Sequence, residues 1–194
     1  MFSETEKKII LETKEIIKEK VSKEVLFEKE YFSEMKLYNA VLNKTKIYLS
    51  GGAISSIIQN TTPKDWDLYF SDTPYRDLLV KRTNDKFYHL VKIEENHYSD
   101  DVNAKNPNAI TMTDDISFVL IHSGAIEEIK KTFDYVHCTS HYDIMEDKLF
   151  ISPLQFRCMK EKLLVPNKPE EQIKEWRRAK FLSKGYKEAS LEQL

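Results

Sequence analysis

Cysteine is nearly absent from this 194-residue chain, with Cys138 and Cys158 the only two. That excludes a disulfide-built scaffold, and two free thiols fit a reducing compartment better than a bridge does. No apolar run approaches the ~18 residues of a membrane-spanning helix, and no signal-peptide or lipidation pattern is found. The expected location is therefore the cytoplasm, with no membrane partner. An excess of one charge is missing too: 30 Lys and Arg face 32 Asp and Glu, for a formal net charge of -2. A near-neutral chain is not built to coat nucleic acid indiscriminately, although local patches can still grip a backbone. Glycine is scarce as well, at 4 residues, and two of them, Gly51 and Gly52, are adjacent.

What is present is concentrated around that pair. Ile47, Tyr48 and Leu49 form a short apolar run ending in Ser50-Gly51-Gly52, and the residues from Ala53 to Ile58 have the spacing of a buried helix start. Glycine at a strand-to-helix turn permits positive φ and lets a bulky anion approach the backbone amides, so phosphate is the natural guest. Thr61-Thr62-Pro63 supplies a loop before a second strand, DWDLYF. Side chains alternate along a strand, which places Asp65 and Asp67 on one face and turns Trp66, Leu68 and Phe70 toward a core. Two crowded carboxylates repel, and a hard divalent cation relieves them. Magnesium is expected, since it takes few carboxylates and completes its octahedron with water and phosphate oxygens. The bland alternative for the same residues is a plain turn and two solvent-facing aspartates.

The rest of the chain reads as α+β. Residues 1–45 are expected to be a helical segment packed on a core at 46–151, with a second helical segment at 152–194. Ser3 and Glu6 form a capping-box pattern, and Ile9, Ile10, Ile16, Ile17, Val21, Val25 and Leu26 recur at roughly helical spacing. Tyr31, Phe32, Met35, Tyr38 and Val41 suggest a second helix. After Phe70, a helix at 78–80, a strand at 88–93 and a polar stretch at 97–108 are expected, then a hairpin turning at 113–116 into the apolar strand Phe118-Val119-Leu120-Ile121. A helix at 126–131 and a strand at 133–138 follow, with Asp134 as the acid of best strand context. His137, Cys138, His141 and Asp143 invite a zinc reading, but the segment alternates like a strand and lacks a second cluster. Ser152-Pro153 starts a helix expected to reach about Leu164, and a last helix opens at Glu170-Glu171 and ends near Gly185. Basic residues on that last helix suit its dipole as well as they suit a phosphate.

The order strand, Gly-Gly, helix, Lys-Asp-x-Asp-Leu resembles the polymerase-β-like nucleotidyltransferase superfamily. SGGAISSIIQNTTPKDWDLYF is most similar to the head domain of CCA-adding enzymes and poly(A) polymerases, and to short phage-encoded relatives. KKTFDYVHC resembles the family's basic-basic-Asp-aromatic strand, and RRAKFLSKGY its R-x-x-K-aromatic-x-x-[RK]-Gly helix end. The resemblance implies a small mixed β-sheet flanked by helices. It also implies transfer of a nucleoside monophosphate from a nucleoside triphosphate to a hydroxyl of RNA, tRNA or protein, in the host cytoplasm if the chain is phage-encoded. Two Mg2+ ions would be held by Asp65, Asp67 and Asp134 as the catalytic acids, and the nucleotide by Ser50, Gly51, Gly52, Ser55, Arg178 and Lys180. Ser55-Ser56 stands where CCA-adding enzymes usually carry Arg-Asp, and no counterpart of their templating arginine and aspartate is found, so full CCA synthesis is not expected. A catalytically silent nucleotide or RNA binder and a toxin- or host-directed interaction protein on the same fold are the readings from other classes. Oligomeric state stays open.

Overall fold

The structure is a computed structural model that describes residues 1–33, 45–72, 92–94, 109–111 and 115–190. It opens with helix α1 (Glu4–Ser33), capped as the sequence predicts: the Ser3 backbone N–H donates to Glu6 Oε2 at 2.7 Å and the Glu6 N–H to Ser3 Oγ at 3.3 Å. Strand β1 (Ile47–Ser50), helix α2 (Gly52–Ile58) and strand β2 (Trp66–Phe70) follow. Then come β3 (Lys92–Glu94), β4 (Ala109–Thr111), β5 (Ile116–Ser123) and α3 (Ile126–Thr132). A 3-10 turn at Val136–Cys138 precedes the hairpin β6 (His141–Asp143) and β7 (Lys148–Phe150). The chain finishes with α4 (Pro153–Lys160), β8 (Leu163–Leu164), a 3-10 turn at Glu170–Gln172, α5 (Glu175–Leu182) and β9 (Lys187–Glu188).

Seven of these strands form one mixed sheet in the order β3-β4-β5-β2-β1-β6-β7. Only β2 and β5 run parallel within it; the other pairs are antiparallel. Alternation along the central strands sorts the two faces. Ile47, Leu49, Trp66, Leu68, Phe70, Ile116, Phe118 and Tyr142 join Ala53, Ile54 and Ile58 of α2, Phe156 and Met159 of α4, and Ile17 and Val21 of α1 in the main core. Tyr48 and Tyr69, on the opposite face, pack with Ile129, Phe133 and Cys138. The fold is thus α+β, a mixed sheet flanked by helices, as the sequence indicates.

Only part of the apolar stripe on α1 faces inward. Ile17 and Val21 are fully buried, Ile9 and Ile10 partly so, while Ile16 is 48% exposed. The buried side is fixed by ions as well as by apolar contact. Asp147, in the β6–β7 turn, accepts from Lys14 at 3.1 Å, Lys18 at 2.8 Å and Tyr142 Oη at 2.7 Å.

Three boundaries differ from expectation. Residues 133–138 do not form a strand: Tyr135 makes one isolated bridge to Pro166, and the chain then tightens into the 3-10 turn. Helix α4 stops at Lys160, because Lys162 takes a positive φ of 54° and Leu163 enters a strand. Glu170–Gln172 is a separate 3-10 turn, and α5 starts only at Glu175. The side chains of Val25 and Leu26, the second helix at Met35, Tyr38 and Val41, and the elements at 78–80 and 88–91 lie outside the described residues, as does the stretch 97–108. No described helix is long and apolar enough to cross a membrane.

The burial pattern on α1 yields a direct check. Ile17→Ala should cost about 2–4 kcal/mol by opening a cavity in the main core, whereas Ile16→Ala should stay within about 0.5 kcal/mol. Urea denaturation of both variants measures the difference.

Candidate functional site

The antiparallel register of β1 and β2 sets Ser50 opposite Asp67. Continuing β1 by one residue therefore brings Gly51 beside the Asp67 carboxylate. The backbone there has φ 92° and ψ −143°, a conformation that only glycine adopts without strain. A β-carbon at Gly51 would lie 3.5 Å from Asp67 Oδ2, whereas one at Gly52 would meet nothing within 4 Å. The Gly51 side of the turn thus sits in ordinary contact with the carboxylate, with the backbone angle and not space requiring glycine, and the Gly52 side is open.

That open side is a cleft of about 410 Å³. Gly51, Gly52 and Ser55 line it from the turn and α2, Asp65 and Asp67 from β2 and the residue before it, and Lys180 from α5. Six of the residues singled out in the sequence therefore converge. Five cations line the same space, namely Lys64, Lys162, Arg177, Lys180 and Lys184, so positive charge exceeds the two carboxylates. Burial, then repulsion from Lys180 and Lys64, lowers the pKa of Lys184, against the pull of Asp65. A bound anion would relieve that crowding.

An aromatic wall closes the inner end. His137 is 1% exposed, lies 4.7 Å from the Phe181 ring and 4.6 Å from that of Tyr186, and has no hydrogen-bond partner on either ring nitrogen. Burial, then the charge of Lys184, lowers its pKa to about 3. Beside it, burial pushes the Cys138 thiol up to about 12, so this sulfur is no nucleophile at neutral pH. Tyr186 pins the C-terminal segment to α2. Its hydroxyl lies 2.9 Å from Ser55 Oγ and accepts from Gln59 Nε2 at 2.7 Å.

Besides Ser55, whose buried hydroxyl meets Tyr186, three expected site residues have other partners. Ser50 is fully buried, and its hydroxyl donates to the Ser140 carbonyl at 2.6 Å, tying β1 to the approach to β6. Arg178 pairs with Glu188 and lies 3.9 Å from Glu175, in a separate depression that includes Tyr135 and Leu164. Asp134 sits on irregular backbone, and its carboxylate meets Lys168 Nζ at 2.6 Å and Arg177 Nε at 2.9 Å. Burial alone would raise its pKa, but hydrogen bonds from Lys168 and Arg177 outweigh burial and hold it below the usual carboxylate value.

The cations Arg177 and Lys184 carried a sequence signal. In R-x-x-K-aromatic-x-x-K-Gly the first arginine is Arg177; α5 turns Lys180, three positions on, toward the same side, and Lys184 follows just past the helix end. Its neighbour Arg178 is rotated off that face by one residue. Lys64 stands within Lys-Asp-x-Asp, whereas Lys162 belongs to a turn and had no pattern to mark it.

Asp65 and Asp67 offer two hard oxygen donors beside open space, which fits a divalent ion that takes its other ligands from phosphate and water. Among the described residues, no three His, Cys, Asp or Glu side chains gather as a metal-holding group.

Residues 17–162 match the family model described as Gabija anti-defense 2 family protein. The chain belongs to the Gabija anti-defense 2 family. Arg177, Lys180, Lys184 and Tyr186 all come after the matched residues of this family member. Its fold is nucleotidyltransferase-like. A CCA-adding enzyme in apo form I superimposes with a TM-score of 0.55 at 10% identity, covering 92% of this chain and 42% of that one. A CCA-adding enzyme with CTP gives 0.55 at 12% identity, with 94% and 43% covered. The Thermotoga maritima CCA-adding enzyme complexed with tRNA gives 0.52 at 11%, with 80% and 37% covered. The chain thus spans about two fifths of the length of these structures. No curated protein matches it.

The buried histidine makes stability depend on pH. Its folded pKa of about 3 lies below the ordinary 6.5, so from pH 6.5 down toward 3 the unfolded chain binds a proton that the folded chain does not. Stability should fall across that window and be unaffected by this group above it. His137→Phe should make the decline shallower, leaving the part due to His141, whose pKa burial lowers to about 4, as read from urea midpoints measured between pH 4 and 7.5.

Proposed function

We propose that this cleft binds a nucleoside triphosphate and transfers its nucleoside monophosphate to a hydroxyl of an RNA end or a protein, in opposition to the Gabija defence named in the family description. The observation that carries the reading is the placement of Asp65 and Asp67 beside the Gly51-Gly52 turn in a cleft richer in cations than in acids. The nucleotidyltransferase-like fold supports it.

Each group has a role in that chemistry. Gly51 and Gly52 let the phosphates approach the backbone, with no β-carbon between them and Asp67. Lys64, Lys180 and Lys184 neutralise phosphate oxygens, and Asp65 and Asp67 hold magnesium. Bound there, the ion would offset the charge that develops as pyrophosphate leaves. The acceptor oxygen forms its bond to the α-phosphorus in line as the bond to the bridging oxygen breaks, and the acceptor's proton is released to solvent. No covalent enzyme intermediate is involved, so positioning and charge supply the rate.

A second reading, nucleotide binding without transfer, draws on the engagement of Asp134 by Lys168 and Arg177, which leaves the carboxylate pair without a third acid among the described residues.

One experiment separates them. Purified protein is incubated with each α-labelled nucleoside triphosphate, magnesium, and total RNA and protein, with the Asp65→Ala/Asp67→Ala variant alongside. The expected result is label in RNA or protein that drops by at least roughly 100-fold in the variant, the scale of several kcal/mol of metal charge stabilisation. Undiminished label in the variant would sink the assignment. Nucleotide binding with no transfer by the wild type would give the second reading the lead. Escape from the Gabija defence, scored in cells that carry it and express either protein, should follow the transfer result.

A further inference from the structure

Asp134 and Arg177 stand in a relation that neither the family match nor the nucleotide reading assigns. Asp134 leads into the 3-10 turn behind the cleft, and its side chain is only 11% exposed. Arg177 projects from α5 and lines the cleft, 37% exposed. Asp134 Oδ2 accepts the Arg177 Nε–H at 2.9 Å, while Oδ1 faces Lys168 Nζ at 2.6 Å.

The geometry points to Asp134 as a positioning residue: it clamps Arg177 by Nε so that the guanidinium's two terminal amino groups serve a phosphate of the bound nucleotide. This deepens the nucleotide reading and rests on it. Guanidinium carries five donors in a rigid plane, and fixing Nε sets the direction of the remaining four. An unrestrained arginine loses rotamer freedom when it binds; a clamped one has already lost it. The clamp is anchored in turn. Asn167 Nδ2 donates to the carbonyls of Lys130 at 2.9 Å and Phe133 at 3.0 Å, and the Asn167 N–H donates to the Asp134 carbonyl at 2.9 Å. Lys168 therefore follows a braced segment and shares the carboxylate without displacing Arg177. A carboxylate already held by two cations has little capacity to bind a third, which separates this role from metal ligation.

The test is triphosphate binding, read by isothermal titration with ATP and with inorganic triphosphate as a base-free probe, once in EDTA and once in magnesium. D134N and R177M should each weaken both probes by roughly ten-fold, the scale of one charge-assisted hydrogen bond. The losses should appear in EDTA as well as in magnesium, and the double variant should be no weaker than either single one. D134E, which keeps the charge, should recover part of the affinity. Losses that add in the double variant, or a D134N loss confined to magnesium, would overturn the inference, the latter by making Asp134 a cation ligand. If D134N does not fold by thermal melting, R177K decides: it keeps the charge but lacks the fork, so unchanged affinity overturns the inference and a ten-fold loss supports it. Wild-type binding without nucleotidyl transfer defeats only the transfer reading, and a wild type that binds neither probe defeats both.

Discussion

The pairing of β1 with β2 governs this structure. With Ser50 opposite Asp67, the first residue beyond β1 must pass directly over a carboxylate, and only a residue without a side chain can do so at φ 92°. A slip of one residue would exchange the faces of the whole strand, sending Tyr48 into the main core and Leu49 toward the cleft side. The hydrophobic alternation of two short strands thus fixes the site to within one register step. The same pairing buries Ser50, whose hydroxyl then serves the fold and not a ligand.

On this frame the C-terminal segment completes the cleft. It is held by a two-strand parallel pair between β8 and β9, by the Tyr186 hydroxyl on Ser55 and Gln59, and by the ion pairs at Asp134. Ser55 is instructive. Its hydroxyl lies 2.9 Å from that of Tyr186, the residue just before β9, so one buried contact joins the helix after the glycine turn to the C-terminal segment.

Much of this was legible in the sequence because it rests on local physics. The capping box at Ser3, the Ser152 cap, the glycine turn, the alternation of DWDLYF and the β4–β5 pairing follow from rules that act over a few residues. Gly51, Gly52, Asp65 and Asp67 come together where those rules set them, and Lys180, expected only from the family resemblance, lines the same cleft. The failures involve tertiary contacts. Residues 133–138 have a strand's alternation, but their partner is a single residue, Pro166, so a ladder does not form. Arg178 is expected at the nucleotide, but the orientation of α5 brings Arg177, the first arginine of the R-x-x-K pattern, into the cleft instead. Ile16 and Ile17 differ in the same way on α1.

The division of charge along the chain has a consequence for how the site comes into being. The carboxylates and the glycine turn lie in the first half of the sequence, whereas Arg177, Lys180 and Lys184 arrive near its end. During synthesis the start of the central strand β2, at Asp65 and Asp67, is acidic, with Lys64 its nearest counter-charge in sequence. The pocket turns electropositive only when the segment carrying those three cations closes on it, with Tyr186 reaching Ser55 and Gln59. Closing that long-range contact is among the costlier steps for a chain of this topology. A nascent chain that has not yet reached Lys162 has Lys64 alone against Asp65 and Asp67 there, a net negative surface that repels the very anions the finished cleft attracts.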